Sequence, residues 1–201
     1  MSKKISRDHI DHWYEYHVNL DSRTLYIGTG STEEENEETG IDHRLAAKII
    51  KGLHLLEHSA PLGDKPITIL LNSIGGSVDA GLAIFDSIIQ CKNHVTIKVI
   101  GNALSMGCVL LQAGDTRQVS KHSTIMFHEG VVGYPSDHPR IVKNWAKYTE
   151  KVTTDLRNIL LNKIKEKHPN FKEKQFNEMY KFDTLFTAEE AVALGLVDEI
   201  I

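Results

Sequence analysis

Ile67-Thr68-Ile69-Leu70-Leu71-Asn72-Ser73-Ile74-Gly75-Gly76-Ser77 is the stretch that decides how this chain folds. Its first five residues form a nearly continuous apolar run, the mark of a strand buried on both faces. Two glycines then let the backbone turn without a side chain in the way. A helix is expected from Val78 to Gln90, with Leu82, Ile84, Phe85, Ile88 and Ile89 turned to a core. A second β-rich run, Val95 to Ile100, leads through Gly101-Asn102-Ala103-Leu104 to Ser105. Met106 to Leu111 reads as a short buried helix, and a further β-like run, Ile125-Met126-Phe127, ends at His128. Strand, glycine turn, helix, strand, tight turn, helix, strand: the alternation predicts an α/β domain.

Working outward, the 201 residues suit one domain with a real core and an appended arm. A hydrophobic content of 41% and a charged content of 25% are those of a globular protein. The net charge of −4 gives nucleic acid no reason to bind. No apolar run approaches the roughly 20 residues a membrane helix needs. The N-terminus lacks a hydrophobic signal core, and Cys91 and Cys108 sit in apolar segments as small core residues. A cytoplasmic protein without disulfides, cofactor or membrane partner is expected.

Residues 1–17 are polar and aromatic, with Trp13, Tyr14 and Tyr16 close together, and suit either an arm on a partner subunit or a locally docked terminus. Thr24 to Ile27 reads as a short strand, and the Gly28-Thr29-Gly30 after it is too short for a nucleotide loop. The acidic run Glu33 to Glu38 reads as a solvated segment. From Ile41 to His58 the apolar spacing predicts an amphipathic helix. His54 and His58 fall one turn apart on it and can share a metal, but no His-Glu-x-x-His pattern or further ligand accompanies them, and no metal site is expected. Pro61 to Pro66 is a connecting loop. Asp137 to Lys167 predicts a helix too long to lie wholly on one small sheet, which projects or packs on another subunit, with Pro169 as its stop. Thr187-Ala188-Glu189-Glu190 is a capping box for a short helix closed by Gly195, and Leu196 to Ile201 reads as a last strand.

Taken alone, Ser105 is a helix N-cap and His128 a structural residue. Together they have a second reading, because a serine at a strand-to-helix junction lies beside free backbone N–H groups and a histidine at the same sheet edge can act as its base.

Four blocks carry a resemblance: Asn72 to Gly81, Ala103 to Gly107, Ile125 to His128, and Asp183 through Asp198. In that order they resemble the ClpP family, the proteolytic subunits of ATP-dependent Clp (caseinolytic) proteases, over roughly residues 20 to 201. The resemblance implies a ClpP/crotonase-like α/β fold of repeated ββα units with a projecting handle helix. The arm would cover 1–19, the protease domain 20–201 and the handle about 129–167. It implies a serine endopeptidase with Ser105 as nucleophile, His128 as general base and Asp183 as the third member. The N–H groups of Gly76 and Met106 would form the oxyanion hole. Substrate would pair with the strand Glu129, Gly130, Val131, Val132 and Gly133. Two stacked heptameric rings would enclose a chamber, as a tetradecamer. Short peptides would enter directly, and unfolded proteins would be fed in by an AAA+ Clp ATPase.

This chain departs from the family pattern in places. Ile74 replaces a usual proline, Glu129-Gly130 replaces Gln-Pro, and Phe182 stands where many members carry an arginine that helps pair the rings. Residues 1–17 do not match the usual axial-loop pattern, and 31–39 reads as an insertion. Such divergence suits a phage or accessory paralogue, including a capsid-maturation type of protease. An idle structural subunit would be expected to have lost one of Ser105, His128 and Asp183. An acyl-CoA hydratase or isomerase on the same fold would leave those three unexplained. The surroundings of Ser105 are not the Gly-x-Ser-x-Gly of α/β-hydrolases.

Overall fold

A computed structural model describes residues 13–28, 40–59, 65–130, 133 and 138–201. The first twelve residues, the acidic run 31–39, the loop 60–64 and Val131 and Val132 lie outside the described residues.

In chain order the elements are β1 (Val18–Asn19), β2 (Thr24–Gly28), α1 (His43–His58), β3 (Ile67–Ser73), α2 (Val78–Gln90), β4 (Val95–Leu104) and α3 (Met106–Leu111). Then come β5 (Thr116–Val119), β6 (Thr124–Phe127), α4 (Pro139–Lys167), α5 (Glu173–Tyr180), β7 (Thr184–Phe186), α6 (Ala188–Leu194) and β8 (Glu199–Ile200). The expected α/β class is the one the chain adopts. Strands β2, β3, β4, β5 and β8 run parallel in that order, and β1 is antiparallel at the outer edge. Trp13 packs its ring 6.2 Å from that of Tyr26 on β2. Among the described residues no helix is long and apolar enough to cross a membrane.

The helices begin where side chains satisfy their free N–H groups. Asp42 accepts from the Leu45 amide at 2.7 Å to start α1. Ser77 does the same for Ala80 in α2. Thr187 and Glu190 close a reciprocal box at α6, which Gly195 ends in a left-handed conformation at φ 93°. Beneath them, Ile67, Ile69 and Leu71 of β3 join Ile49, Leu53, Leu56, Ile84 and Ile88 of α1 and α2 in one apolar cluster. β3 is not buried on both faces as its composition predicts. Thr68, Leu70 and Asn72 are only partly covered, because in the single chain the helices pack over one face of the strand.

The feature that positions everything downstream is a bulge in β4. Between the pairs Leu71↔Val99 and Ser73↔Ala103, β3 advances two residues while β4 advances four. Gly101 takes φ 97°, and a Cβ there would stand 2.6 Å from Asn72 Oδ1, so glycine is required. The Asn72 side chain fills the gap by accepting from the Asn102 amide at 3.0 Å, and Ser123 Oγ accepts from the Gly101 amide at 3.1 Å. The two halves of β4 thereby take different neighbours. Thr96–Val99 pairs with β5, and Asn102–Leu104 pairs with β6.

α4 runs 29 residues, about 43 Å at 1.5 Å per residue. Its C-terminal half buries Leu156, Leu160, Leu161 and Ile164, whereas Ile141, Trp145 and Tyr148 in its first half are exposed.

The C-terminal segment is tied down by buried Arg117. Its guanidinium donates to Gln112 Oε1, to the carbonyls of Gly195 and Leu196, and to both carboxylate oxygens of Asp198. Partial burial alone would raise the Asp198 pKa; hydrogen bonds from the side chain and backbone of Arg117, with its charge, outweigh this and hold it below the ordinary value. The stabilisation is therefore present above the unfolded pKa and lost as pH falls through the lower folded one. Asp198→Asn is expected to lower stability at neutral pH by about 1–2 kcal/mol, less than for a fully buried pair because the carboxylate is partly solvated. In urea melts the gap to the parent should close as pH drops below about 3.9. A gap that stays constant into acid would mean the carboxylate charge contributes nothing.

Candidate active site

Ser105 follows β4 directly, and the β4–β6 register (Leu104↔Met126) carries it level with the end of β6. Its amide donates to the Met126 carbonyl at 2.9 Å, a bond that continues the ladder one residue past the strand. The residue then takes φ 52°, ψ −119°, an uncommon conformation for a side chain-bearing residue, as the chain swings from strand into α3. Ser105 makes no side-chain cap to its own helix. The N-cap role that residue type suggests is not the one it fills.

β7 runs antiparallel to β6, with Phe127 opposite Thr184. One step further out, the register sets His128 opposite Asp183. The imidazole bridges the two: His128 Nδ1 lies 2.7 Å from Asp183 Oδ1 and Nε2 lies 2.8 Å from Ser105 Oγ. A carboxylate only accepts, so Nδ1 carries the proton and Nε2 offers its lone pair to the serine hydroxyl. A hydroxyl so placed can lose its proton to the imidazole as it attacks an acyl carbon.

Beneath this row lies an aromatic cluster that supports β6. The Phe127 ring centroid is 5.3 Å from Phe176, 5.2 Å from Phe186 and 6.1 Å from Tyr180. Thr184 Oγ1 donates to the Met179 carbonyl at 2.7 Å and so fixes the turn that presents Asp183. Burial first, then the nearby Glu129 carboxylate, pushes the Tyr180 hydroxyl up to about 12. Burial also raises the Cys108 thiol to about 12. Both stay protonated, so Cys108, three residues after Ser105, is no rival nucleophile.

The Gly75-Gly76 turn packs against the serine. Gly75 and Gly76 take φ 102° and 145°. A Cβ on Gly75 would stand 2.7 Å from Ser105 Cβ and 3.2 Å from the Met106 nitrogen. Ile41 donates to the Gly75 carbonyl and accepts from the Ser77 amide, both at 2.7 Å, so the Gly76 amide is not spent on that bridge. Met106, first residue of α3, likewise has an amide without an intrahelical partner.

Beyond His128, Glu129, Gly130 and Gly133 are exposed. The backbone passes close to the imidazole, since a Cβ on Gly130 would stand 3.9 Å from His128 Nε2. A cleft of about 540 Å³ opens there, between α4 and α5, lined by Glu129, Gly130, Thr149, Thr153, Arg157 and Tyr180. The sequence reading missed Ile41, Asn72 and the α5 aromatics. Ile41 acts only through its main chain and leaves no signal in residue type. The 3–4 spacing of Phe176, Met179 and Tyr180 does mark a helix face.

The Clp protease family model matches residues 36–201. An ATP-dependent Clp protease proteolytic subunit from Deinococcus radiodurans is 31% identical over 184 residues, spanning 90% of this chain and 81% of that protein. The chain belongs to the Clp protease family.

Gly75→Ala would force a methyl group against Ser105 and the Met106 amide at a φ that disfavours it. It is expected to cut kcat/KM on a short fluorogenic peptide by about 10²-fold or more, the scale of one lost oxyanion donor. Parental turnover by a folded Gly75→Ala protein would show that this close packing is dispensable.

Proposed function

We propose that this Clp protease family member is a serine endopeptidase in which Ser105 attacks the scissile carbonyl, His128 moves the proton and Asp183 orients the imidazole. The observation that carries the reading is the single imidazole held at 2.7 Å to Asp183 and 2.8 Å to Ser105. As Ser105 Oγ bonds to the carbonyl carbon, its proton passes to His128 Nε2. The carbonyl oxygen becomes an oxyanion that the Gly76 and Met106 amides receive. His128 then returns the proton to the leaving nitrogen, the C–N bond breaks, and an acyl-serine remains. Water repeats the sequence to release the acid. Each oxyanion donor is worth about 10²–10³ in rate.

Substrate lies extended along Glu129, Gly130, Val131, Val132 and Gly133, pairing by main-chain hydrogen bonds. The exposed glycines at 130 and 133 keep that path open. The protein assembles with itself into two stacked heptameric rings. The apolar residues exposed on the first half of α4, Ile141, Trp145 and Tyr148, support this, because such a stripe needs cover. An AAA+ Clp ATPase feeds unfolded polypeptide into the chamber, and short peptides enter unaided. The Deinococcus radiodurans relative, a proteolytic subunit of an ATP-dependent protease, supports this partner. We place the assembly in the cytoplasm. An idle structural subunit is disfavoured, since all three reacting side chains are present and in contact.

Fluorophosphonate labelling with peptide mapping is expected to find the adduct on Ser105 and none in His128→Ala. Ser105→Ala should abolish peptide hydrolysis and leave assembly intact; hydrolysis by a clean Ser105→Ala preparation would sink the nucleophile assignment. Asp183→Asn keeps the shape of the row but favours the wrong imidazole tautomer, and kcat is expected to fall by about 10⁴-fold. Equal turnover by Asp183→Asn and the parent would remove the aspartate from the mechanism.

A further inference from the structure

The last turns of α1 carry His54-Leu55-Leu56-Glu57-His58. His54, Glu57 and His58 share one flank of the helix at the three- and four-residue spacing that makes side chains neighbours. Leu53 and Leu56 turn inward and are buried. The two imidazole centroids lie 4.1 Å apart. One ligand atom from each of the three residues lies within 4.8 Å of the other two, and among the described residues no other His, Cys, Asp and Glu side chains form such a group. The expectation of no metal site left Glu57 out of account; the helix sets its carboxylate beside the histidine pair.

We infer that His54, Glu57 and His58 form a binding site for a borderline divalent transition ion, with zinc as its type. Two imidazoles and a carboxylate are the donors such ions take, whereas calcium and magnesium prefer all-oxygen shells. Two of the three donors are already oriented. His58 Nδ1 lies 2.9 Å from the His54 carbonyl oxygen, which can only accept, so Nδ1 carries the proton and Nε2 keeps its lone pair. Glu57 Oε1 accepts from the Lys92 amide at 3.1 Å, leaving Oε2 free on the side of His58, 3.9 Å from its Nδ1. Metal–ligand bonds of about 2.1 Å require donors within about 4.2 Å of one another. Closing from 4.8 Å takes side-chain torsion at the exposed His54 and His58, with the His58 Nδ1 bond to the His54 carbonyl kept or remade.

The site stands apart from the Ser105 row. Ser59, just after α1, is bonded by Arg23 ahead of β2, and Lys92 precedes β4, so the cluster lies at the N-terminal end of these strands, opposite the end where β4 delivers Ser105. A bound ion would hold the end of α1 to the turn before β4 through Glu57. Water would fill the remaining coordination positions.

The test is titration of zinc chloride into the full chain, freed of metal with a chelator beforehand, by calorimetry at neutral pH. One ion per chain is expected, with a rise in melting temperature. His54→Gln and His58→Gln should each weaken binding at least tenfold, and the double variant should lose it. Glu57→Gln, whose amide oxygen still accepts from Lys92, should also weaken it at least tenfold. Copper(II) as a resonance probe should show two coupled nitrogens in the parent and one in either single histidine variant. Parental peptide hydrolysis by the variants certifies their fold. The assignment is overturned by a double variant that binds zinc like the parent, or by a parent that takes up none in the micromolar range.

Discussion

Strand register holds the candidate site together. Ser105 and His128 are 23 residues apart and His128 and Asp183 are 55 apart, and no local element brings them together. They meet because β4, β6 and β7 pair in one register, so that each of the three residues is the first beyond its strand at a common end of the sheet. A slip of one residue in either pairing would turn one member of the row to the other face. The bulge at Gly101 is the precondition. It releases the second half of β4 from β5 and leaves it to β6, with Asn72 and Ser123 satisfying the amides that the irregularity exposes.

The readable part of this arrangement was whatever is encoded locally. Glycines at 75 and 76, the Asp42 and Ser77 caps, the Thr187–Glu190 box and the apolar spacing of α1, α2 and α4 all concern residues within one or two turns of each other. The matching blocks located Ser105, His128 and Asp183, but not the hydrogen bonds between them. Non-local features left no comparable mark. β5 is four residues long with a buried arginine in it, so it lacks the apolar alternation of a strand. The apolar look of β3 overstated its burial because packing on its second face depends on what covers it, not on its own residues. The carboxylate beside His54 and His58 stood in plain view as Glu57. The three residues stand in the order His-x-x-Glu-His, which the pattern His-Glu-x-x-His does not match.

Charge is placed sparingly near the core. Among the described residues two arginines are buried, Arg23 ahead of β2 and Arg117 in β5; Arg117 joins α3, β5 and the C-terminal segment, and every acceptor around its guanidinium belongs to that junction. By contrast, the proposed chemistry sits on groups kept neutral by burial below it and on main-chain amides beside it. Cys108 and Tyr180 remain protonated, and the Gly76 amide is held by a bridge made only of backbone atoms. Side-chain identity at Ile41 has no part in that bridge, so geometry at the oxyanion position rests on the path of the chain.

β7 has three residues and pairs on one side only. Its flanking Phe182 is 70% exposed, and the side chain of Asp183 is 67% exposed. Such a segment opens at far less cost than the buried centre of β4, so its amides should exchange with solvent while those of Ile97 and Val99 stay protected. Under the proposed role, competence is then an occupancy: the fraction of time during which the imidazole has its carboxylate. Anything that lays a strand along the free edge of β7 or shields Phe182 from water raises that fraction without touching Ser105.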